Sequence, residues 1–359
     1  MFAALAAFGH TYPSIPLAVA ARDAGHDVVF AAGDQFLPTL WNAGLTAVGA
    51  GMPIADAFAG VVPTPEGIGG VIGGTMASRW VTDLAPLIDE HRPDLLVHDI
   101  ATLGAPLAAA VAGIPAVGHG FGRWFRDAMS DHMVSAFAAL AAEHGITDPE
   151  RVLTGPVVDI CPASVQQRAF LAEGDRIPLR PVGFSPPGPV PERVSDRPYV
   201  FLTLGTAFGS VEALRQAIDG LAALPVDLLV ATGPTVDAAT LGPLPDTVRV
   251  ESWVEQPALL PRLDLIVHHG GSGTMLGAFG AGLPQLVLPI GADQFTNADA
   301  VVAAGCGRTL APDDRDPAAI TASARDLLAE DAVHTATRRV ADEVAAMPAP
   351  EELVSRLVG

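Results

Sequence analysis

The chain is 359 residues long, 50% hydrophobic and 17% charged, which is too much for one small core and predicts about two well-packed domains. Acidic residues outnumber basic ones 40 to 20, for a formal charge of −20, so nucleic acid is excluded as a partner and any phosphate must be held locally. All the basic residues are arginine, which removes the lysines of a P-loop and of a pyridoxal Schiff base. Cys161 and Cys306, the only cysteines, form no metal-spaced set, so neither a disulfide framework nor structural zinc is expected.

The apolar opening Met1 to Phe8 has no basic flank, and no apolar run approaches the roughly 20 residues of a membrane span. A cytoplasmic protein without a membrane partner is expected. Apolar runs near 1–8, 27–32, 45–49, 94–98 and 115–118 alternate with helical patterns near 14–24, 77–91 and 103–112, which predicts α/β architecture with parallel strands. Pro13 and Pro16 lie about the first turn of the helix near 14–24, Ile15, Ala18 and Val19 form its stripe, and Gly25 stops it. Residues 51–75 contain Gly51, Gly60, Gly67, Gly69, Gly70, Gly73 and Gly74 with little periodicity and read as a long mobile loop. Repeated proline from Ser185 to Pro191 marks a linker, giving a first domain at 1–185 and a linker at 186–197. A second α/β domain follows over 198–330, with strands near 199–204, 227–232, 248–252, 264–268 and 285–289 and helices near 211–223, 274–281, 296–304 and 317–329. Residues 331–359 read as helical and returning to the first domain.

In Leu263-Asp264-Leu265-Ile266-Val267-His268-His269-Gly270-Gly271-Ser272-Gly273-Thr274 an apolar strand runs into a glycine-rich turn that opens a helix. Glycines let backbone N–H groups approach an anion, and the helix dipole favours negative charge there. His269 can add a hydrogen bond or a positive charge to the same phosphates. The string alone fits a dinucleotide as well as a sugar nucleotide, since Gly271, Gly273 and Gly277 form a loose dinucleotide fingerprint. Ser272 lacks the second glycine of a hydrolase elbow.

Wider context separates these readings. Trp253 and Gln256 in Ser252-Trp253-Val254-Glu255-Gln256, then the His269 to Thr274 turn, Gly282-Leu283-Pro284, Asp293-Gln294 and Asn297 together resemble the nucleotide-binding signature of the family 1 glycosyltransferases. Gly9-His10-Thr11-Tyr12-Pro13 and Ala24-Gly25-His26-Asp27-Val28 resemble the opening of the bacterial natural-product (antibiotic and polyketide) members. The resemblance spans nearly the whole chain and implies the GT-B fold, two Rossmann-like α/β domains facing across a cleft. It implies that Trp253 stacks on the base, Val254 reads it through backbone groups and Gln256 reaches the ribose. His269, with the turn residues Gly271, Ser272, Gly273 and Thr274, would hold the diphosphate, Thr206 would add a hydroxyl, and Asp293 and Gln294 would bond the sugar. Trp253 also reads as plain core, and Asp293 as a helix cap.

Where many members carry a ribose-binding Glu, this chain has Gly277, which favours a thymidine diphosphate (dTDP) sugar over a uridine (UDP) one as co-substrate. A small residue for packing is the other reading. The resemblance implies His10 as general base in an inverting transfer, and Asp99, ending its strand, is the candidate carboxylate behind it. Asp99 reads equally as the cap of the next helix. His98, His119 and His268 lie in or beside apolar strands and read as core. Asp314-Arg315-Asp316 has the DxD form of metal-dependent sugar transferases but reads as a loop and cap, and no metal or tightly bound cofactor is expected. Phe58, Met76, Trp80, Phe121 and Trp124 in the first domain suit an apolar aglycone and read equally as core. The alternatives from other classes are an NAD(P)-dependent oxidoreductase and a non-catalytic helper of the same fold. A homodimer is left open.

Overall fold

The computed structural model describes residues 1–206 and 209–357. The chain divides into two compact units, one formed by Met1–Cys161, Gln167–Arg180 and the segment from Pro348, the other by Pro162–Gln166 and Pro181–Met347.

The first unit carries a seven-stranded sheet in the order β3-β2-β1-β4-β5-β6-β7. Its strands are β1 (Phe2–Ala4), β2 (Val29–Ala32), β3 (Thr46–Gly49), β4 (Leu96–Asp99), β5 (Ala116–His119), β6 (Val157–Asp159) and β7 (Arg176–Pro178). All described pairings are parallel. The central strands β1 and β4 are buried throughout, and so read as unbroken apolar runs rather than alternating ones. The short strands β6 and β7 escape a hydropathy reading. They lie at the sheet edge, and Arg176 on β7 pairs with Asp159 on β6.

The first helix spans Phe8–Asp23, so it starts well before the 14–24 expected, and Pro13 and Pro16 lie inside it. Interior prolines each remove a helix hydrogen bond. Anchoring of the first turn to the end of β1 outweighs that loss: Thr11 Oγ1 donates to Leu5 O at 2.8 Å and Ala7 N to the same carbonyl at 2.7 Å. Residues 51–75 are also more ordered than a mobile loop. Helices cover Ile54–Ala57 and Pro65–Gly70, and a π-helical turn covers Val71–Met76. The glycines serve close packing against the helix Ser130–Glu143: a Cβ on Gly69 would lie 2.8 Å from both Met129 O and Met133 N, and one on Gly73 would strike Met133 O.

In the second unit the six-stranded order is β10-β9-β8-β11-β12-β13. The strands are β8 (Tyr199–Thr203), β9 (Asp227–Ala231), β10 (Val248–Glu251), β11 (Leu265–His268), β12 (Gln285–Val287) and β13 (Gly307–Thr309). Alternate residues feed two cores. Val200, Leu202, Val230, Leu265 and Val267 pack with Leu214, Ile218 and Ile320 of the helices Val211–Ala222 and Pro317–Ala329, whereas Phe201, Leu229 and Ile266 pack with Val254, Leu259 and Ala278.

Two boundaries differ from expectation. The proline-rich stretch is part of the second unit, held by Glu255 N to Pro189 O at 3.0 Å and Tyr199 Oη to Pro191 O at 3.0 Å. The helix Asp331–Ala346 stays in the second unit against the helix Ser272–Gly280, and only Pro350–Leu357 rejoins the first, packing on Phe8–Asp23. Met347-Pro348-Ala349-Pro350 separates the two helices because proline ends one and opens the next. Residues 358 and 359 lie outside the described residues.

Candidate functional site

Each sheet reverses its direction of winding once, at β1/β4 in the first unit and at β8/β11 in the second. In open parallel sheets the connections leave on opposite faces at such a point, opening a crevice at the carboxyl ends of the strands. His10 and Asp99 fall at the first of these places, and the His269 to Thr274 turn with Thr206 at the second.

At the first, β1 leads into the helix Phe8–Asp23, whose first turn displays His10, while β4 ends on Asp99. His10 Nδ1 lies 3.1 Å from both oxygens of Asp99, and Thr102 Oγ1 donates to Asp99 Oδ2 at 3.1 Å. A carboxylate only accepts, so Nδ1 carries the proton and Nε2 carries the lone pair. The His10 side chain is 21% exposed and that of Asp99 only 1%. The pair combines a partly accessible imidazole with a buried carboxylate that fixes its tautomer from behind. The capping alternative for Asp99 is answered as well, because the helix Gly104–Ala112 has Leu103 at its N-cap and no side-chain cap bond. Phe121 packs on the imidazole, with ring centroids 4.3 Å apart.

The other first-unit candidates spread out. Trp80 is 1% exposed in the core with Met1, Leu84 and Leu96, its indole filling the space a Cβ on Gly51 would need, while one on Gly104 would strike Ala77 O and the Trp80 Cβ. It is a core residue, which corrects its placement in the acceptor set. Met76 is buried with Leu5, Ala57 and Val71, and Phe58 packs on that cluster. Trp124 stacks on Phe170 at 4.8 Å and 9°. Among these five, Phe121 is the one placed against the His10 ring.

At the second reversal, β11 ends on His268 and the turn Gly270-Gly271 opens the helix Ser272–Gly280. Gly271 at its N-cap makes no side-chain cap bond, so the first-turn amides of Ser272, Gly273 and Thr274 have no intrahelical acceptor. A Cβ on Gly273 would meet nothing within 4 Å, so there is open space beside this turn. His269 lies between two glycine walls, since a Cβ on Gly205 or on Gly271 would overlap its ring. Gly205 and the neighbouring Thr206 follow β8, the strand beside β11. Burial pushes His269 down to about 4, against the opposing influence of Asp293 and of the Thr203 carbonyl, so it is neutral at pH 7 and offers a hydrogen bond rather than a charge. Its Nδ1 is buried without a hydrogen-bond partner among the described residues.

The base-side residues are adjacent in sequence. Trp253 is half-buried, its Nε1 donating to Ser185 Oγ at 3.1 Å, and the proline-rich stretch approaches its ring, since a Cβ on Gly188 would lie 3.2 Å from Cδ1. Val254 is buried in the core, and Gln256 opens a short helix. A Cβ on Gly277 would lie 2.8 Å from Leu260 Cδ1 and 3.9 Å from Gln256 Nε2, so Gly277 has a packing reason and is also a neighbour of Gln256.

After β12 the backbone passes through Ala292 in the left-handed region at φ 53°, a conformation that costs a side-chain-bearing residue about 1–2 kcal/mol. It delivers Asp293 and Gln294. Asp293 sits at the N-cap of the helix Gln294–Ala303 but makes no cap bond. Its Oδ2 instead accepts from Ser272 Oγ at 2.8 Å and Asn297 Nδ2 at 2.8 Å. Gln294 Oε1 accepts from Ile290 N at 2.8 Å and Gly291 N at 3.1 Å. Sequence reasoning counted Asn297 in the signature without assigning it a contact, because its contacts depend on tertiary structure. It did not single out Thr102, whose place three residues beyond Asp99 at the helix entry was the available signal.

The remaining motifs are structural. His98 and His119 bond backbone carbonyls through Nδ1 at 3.0 and 2.8 Å. His268 is held by Gln285 Oε1 at 3.0 Å and Gly270 N at 3.1 Å. In Asp314-Arg315-Asp316, Asp316 caps the helix Pro317–Ala329 by accepting from Ala319 N at 2.7 Å.

Residues 65–205 match the family model of the erythromycin biosynthesis protein CIII-like N-terminal domain, and residues 215–359 match that of its C-terminal domain. The chain is 33% identical to the L-demethylnoviosyl transferase of Streptomyces niveus, over 98% of this chain and 95% of that one. It is similar in structure to the glycosyltransferase SnogD from Streptomyces nogalater, with TM-score 0.79 and 29% identity over 99% of this chain and 97% of that one. It is also similar to the glycosyltransferase VinC in complex with dTDP, with TM-score 0.84 and 27% identity over 99% and 98% of the two chains. Two parallel α/β units, a winding reversal in each and relatives along the full length lead to one assignment: the chain belongs to the family 1 glycosyltransferases of bacterial natural-product biosynthesis, enzymes with the GT-B fold.

Proposed function

We propose that the protein moves a hexose or deoxyhexose from a dTDP sugar to a hydroxyl of an apolar natural-product aglycone, with inversion at the anomeric carbon. The observation that carries the reading is the His10–Asp99 pair, whose proton placement on Nδ1 leaves the basic lone pair on Nε2. Nε2 takes the proton of the acceptor hydroxyl, the oxygen attacks the anomeric carbon, and the bond from that carbon to the diphosphate oxygen breaks. The nucleoside diphosphate leaves with its extra negative charge, and Asp99 stabilises the imidazolium. Phe121 supplies an apolar wall beside the base.

In the second unit Trp253 stacks on the base, Val254 reads it through the backbone and Gln256 meets the ribose. The amides of Gly271, Ser272, Gly273 and Thr274, with neutral His269 and the Thr206 hydroxyl, hold the diphosphate. Those dipoles are fixed before the charge develops, so they stabilise the transition state without reorganising. Asp293 and Gln294 bond the sugar. Thymidine is favoured because Gly277, beside Gln256, offers no carboxylate to a ribose 2′-hydroxyl. The bound dTDP of VinC supports a thymidine donor. Nothing in the family favours the nicotinamide reading, and the intact dyad speaks for catalysis over a helper role.

Calorimetric titration with dTDP, UDP and NADP, repeated on Trp253→Ala and His269→Ala, tests the donor. Binding of dTDP that weakens in both variants is expected. Binding of NADP alone would overturn the reading, and equal turnover of matched uridine and thymidine donors would remove the role given to Gly277.

A further inference from the structure

Asn297 is fully buried, and three acceptors converge on its Nδ2: Gly270 O at 2.9 Å, Asp293 Oδ2 at 2.8 Å and Ser272 Oγ at 3.1 Å. Ser272 Oγ in turn donates to the same Asp293 Oδ2 at 2.8 Å. The serine proton is therefore spent on the carboxylate, and toward a phosphate Ser272 has only its backbone N–H to give. Asp293 is used unevenly. Oδ2 accepts from two buried donors, while Oδ1 takes no bond from a described residue. Backbone contact joins the same elements, since a Cβ on Gly270, at φ 93°, would lie 2.9 Å from Gln294 O. The turn after β11 and the entry to the helix Gln294–Ala303 thus form one hydrogen-bonded knot.

We propose that Ser272 and Asn297 are positioning residues that fix the Asp293 carboxylate, committing Oδ2 to the protein and presenting Oδ1 alone to a donating hydroxyl of the hexose. This rests on the reading of Asp293 as a sugar contact. The knot ties the amides that receive the diphosphate to the oxygen that receives the sugar, so the distance between the two contacts is set by Asn297 rather than by the ligand. A carboxylate held by two donors has also lost the rotational freedom it would otherwise surrender on binding. A single oxygen accepts one hydroxyl at a defined place, which lets the site discriminate by where the hexose carries that hydroxyl.

The test compares the dissociation constants of dTDP and of thymidine diphosphoglucose in the wild type, Asn297→Ala, Ser272→Ala, Asp293→Ala and the double variant Asp293→Ala/Asn297→Ala. The quantity read is the ratio of the two constants, which cancels any general damage to the nucleotide site. The ratio is expected to fall about tenfold in Asn297→Ala and several-fold in Ser272→Ala, as for the loss of one to two charge-assisted hydrogen bonds, with dTDP itself held within about threefold. In the Asp293→Ala background Asn297→Ala is expected to change the ratio no further. Ser272→Ala removes one donor and little volume, so it reports even where Asn297→Ala folds poorly. Equal weakening of dTDP and of the sugar nucleotide in both variants, or an Asn297→Ala effect that persists without the Asp293 carboxylate, overturns the positioning role while leaving the donor site intact. Wild-type protein that binds neither nucleotide overturns the donor reading and this inference together.

Discussion

The two winding reversals share a topology and differ in what the following helix displays. After β1 the first turn of Phe8–Asp23 presents an imidazole backed by a buried carboxylate, which the proposed function uses to move one proton. After β11 the first turn of Ser272–Gly280 presents bare amides, and the imidazole beside it is wedged between glycines and neutral. A parallel sheet supplies the crevice, and on the proposed function the residues of one helical turn decide whether it moves a proton or holds an anion. Division of labour follows: the first unit is expected to govern rate and the second affinity.

The sharpest way to break this comparison is at the base. His10→Ala is expected to lower turnover by about 10²- to 10⁴-fold, the usual worth of a general base. Asp99→Asn is expected to lower it by roughly tenfold to a hundredfold, because an amide can fix the wrong tautomer and offers no charge to the imidazolium. Both are read as kcat with saturating donor, and a loss confined to donor KM would count against the assignment. In the second unit Gly205→Ala places a methyl at φ 79° against the His269 ring, and calorimetry should show dTDP affinity reduced by more than about tenfold, since the steric conflict exceeds about 1.4 kcal/mol. Trp253→Ala is expected to weaken dTDP and UDP alike by about 1–3 kcal/mol, the worth of a base stacked on an aromatic ring. A selective loss of one nucleotide would place Trp253 elsewhere in recognition.

The smallest effect concerns stability and acid. Burial pushes His268 down to about 3 and His119 and His269 down to about 4. The unfolded chain protonates these rings below its ordinary value of about 6.5, whereas the folded chain resists until about 4. Their contribution is therefore fully present above that ordinary value and is lost as pH falls toward the folded values, at up to about 1.4 kcal/mol per ring per pH unit. Urea midpoints should be flat near about pH 7.5 and decline toward about pH 5, with a shallower decline in His119→Asn. Midpoints that do not change over that range would mean that the rings are open to solvent.

Much of the fold was legible because parallel strands buried on both faces write themselves as apolar runs, as Leu95-Leu96-Val97-His98 and Leu265-Ile266-Val267-His268 do, and the proposed site was legible because polar residues follow such runs at once in His10, Asp99 and His269. Sequence failed where tertiary contact overrides local preference. Pro13 and Pro16 argued for a late helix start, but Thr11 and Ala7 tie the first turn to Leu5 O. The glycines near Gly69 and Gly73 argued for a loop, yet they admit the backbone of Met129 and Met133. Trp80 read equally as a ligand wall and as core, because nothing in its neighbourhood reveals Gly51 closing on its indole. The carboxylates of Asp99 and Asp293 each sat where a helix cap belongs, and only coordinates show that neither caps.

The central claim is that proton transfer and donor binding reside in separate units, and the most direct measurement is turnover and dTDP affinity on one preparation of His10→Ala. The account predicts turnover reduced at least about a hundredfold with the dTDP dissociation constant unchanged within about twofold, as expected for a residue that does not touch the nucleotide. Turnover near that of the wild type, or a loss of dTDP binding to match the loss of rate, would contradict it.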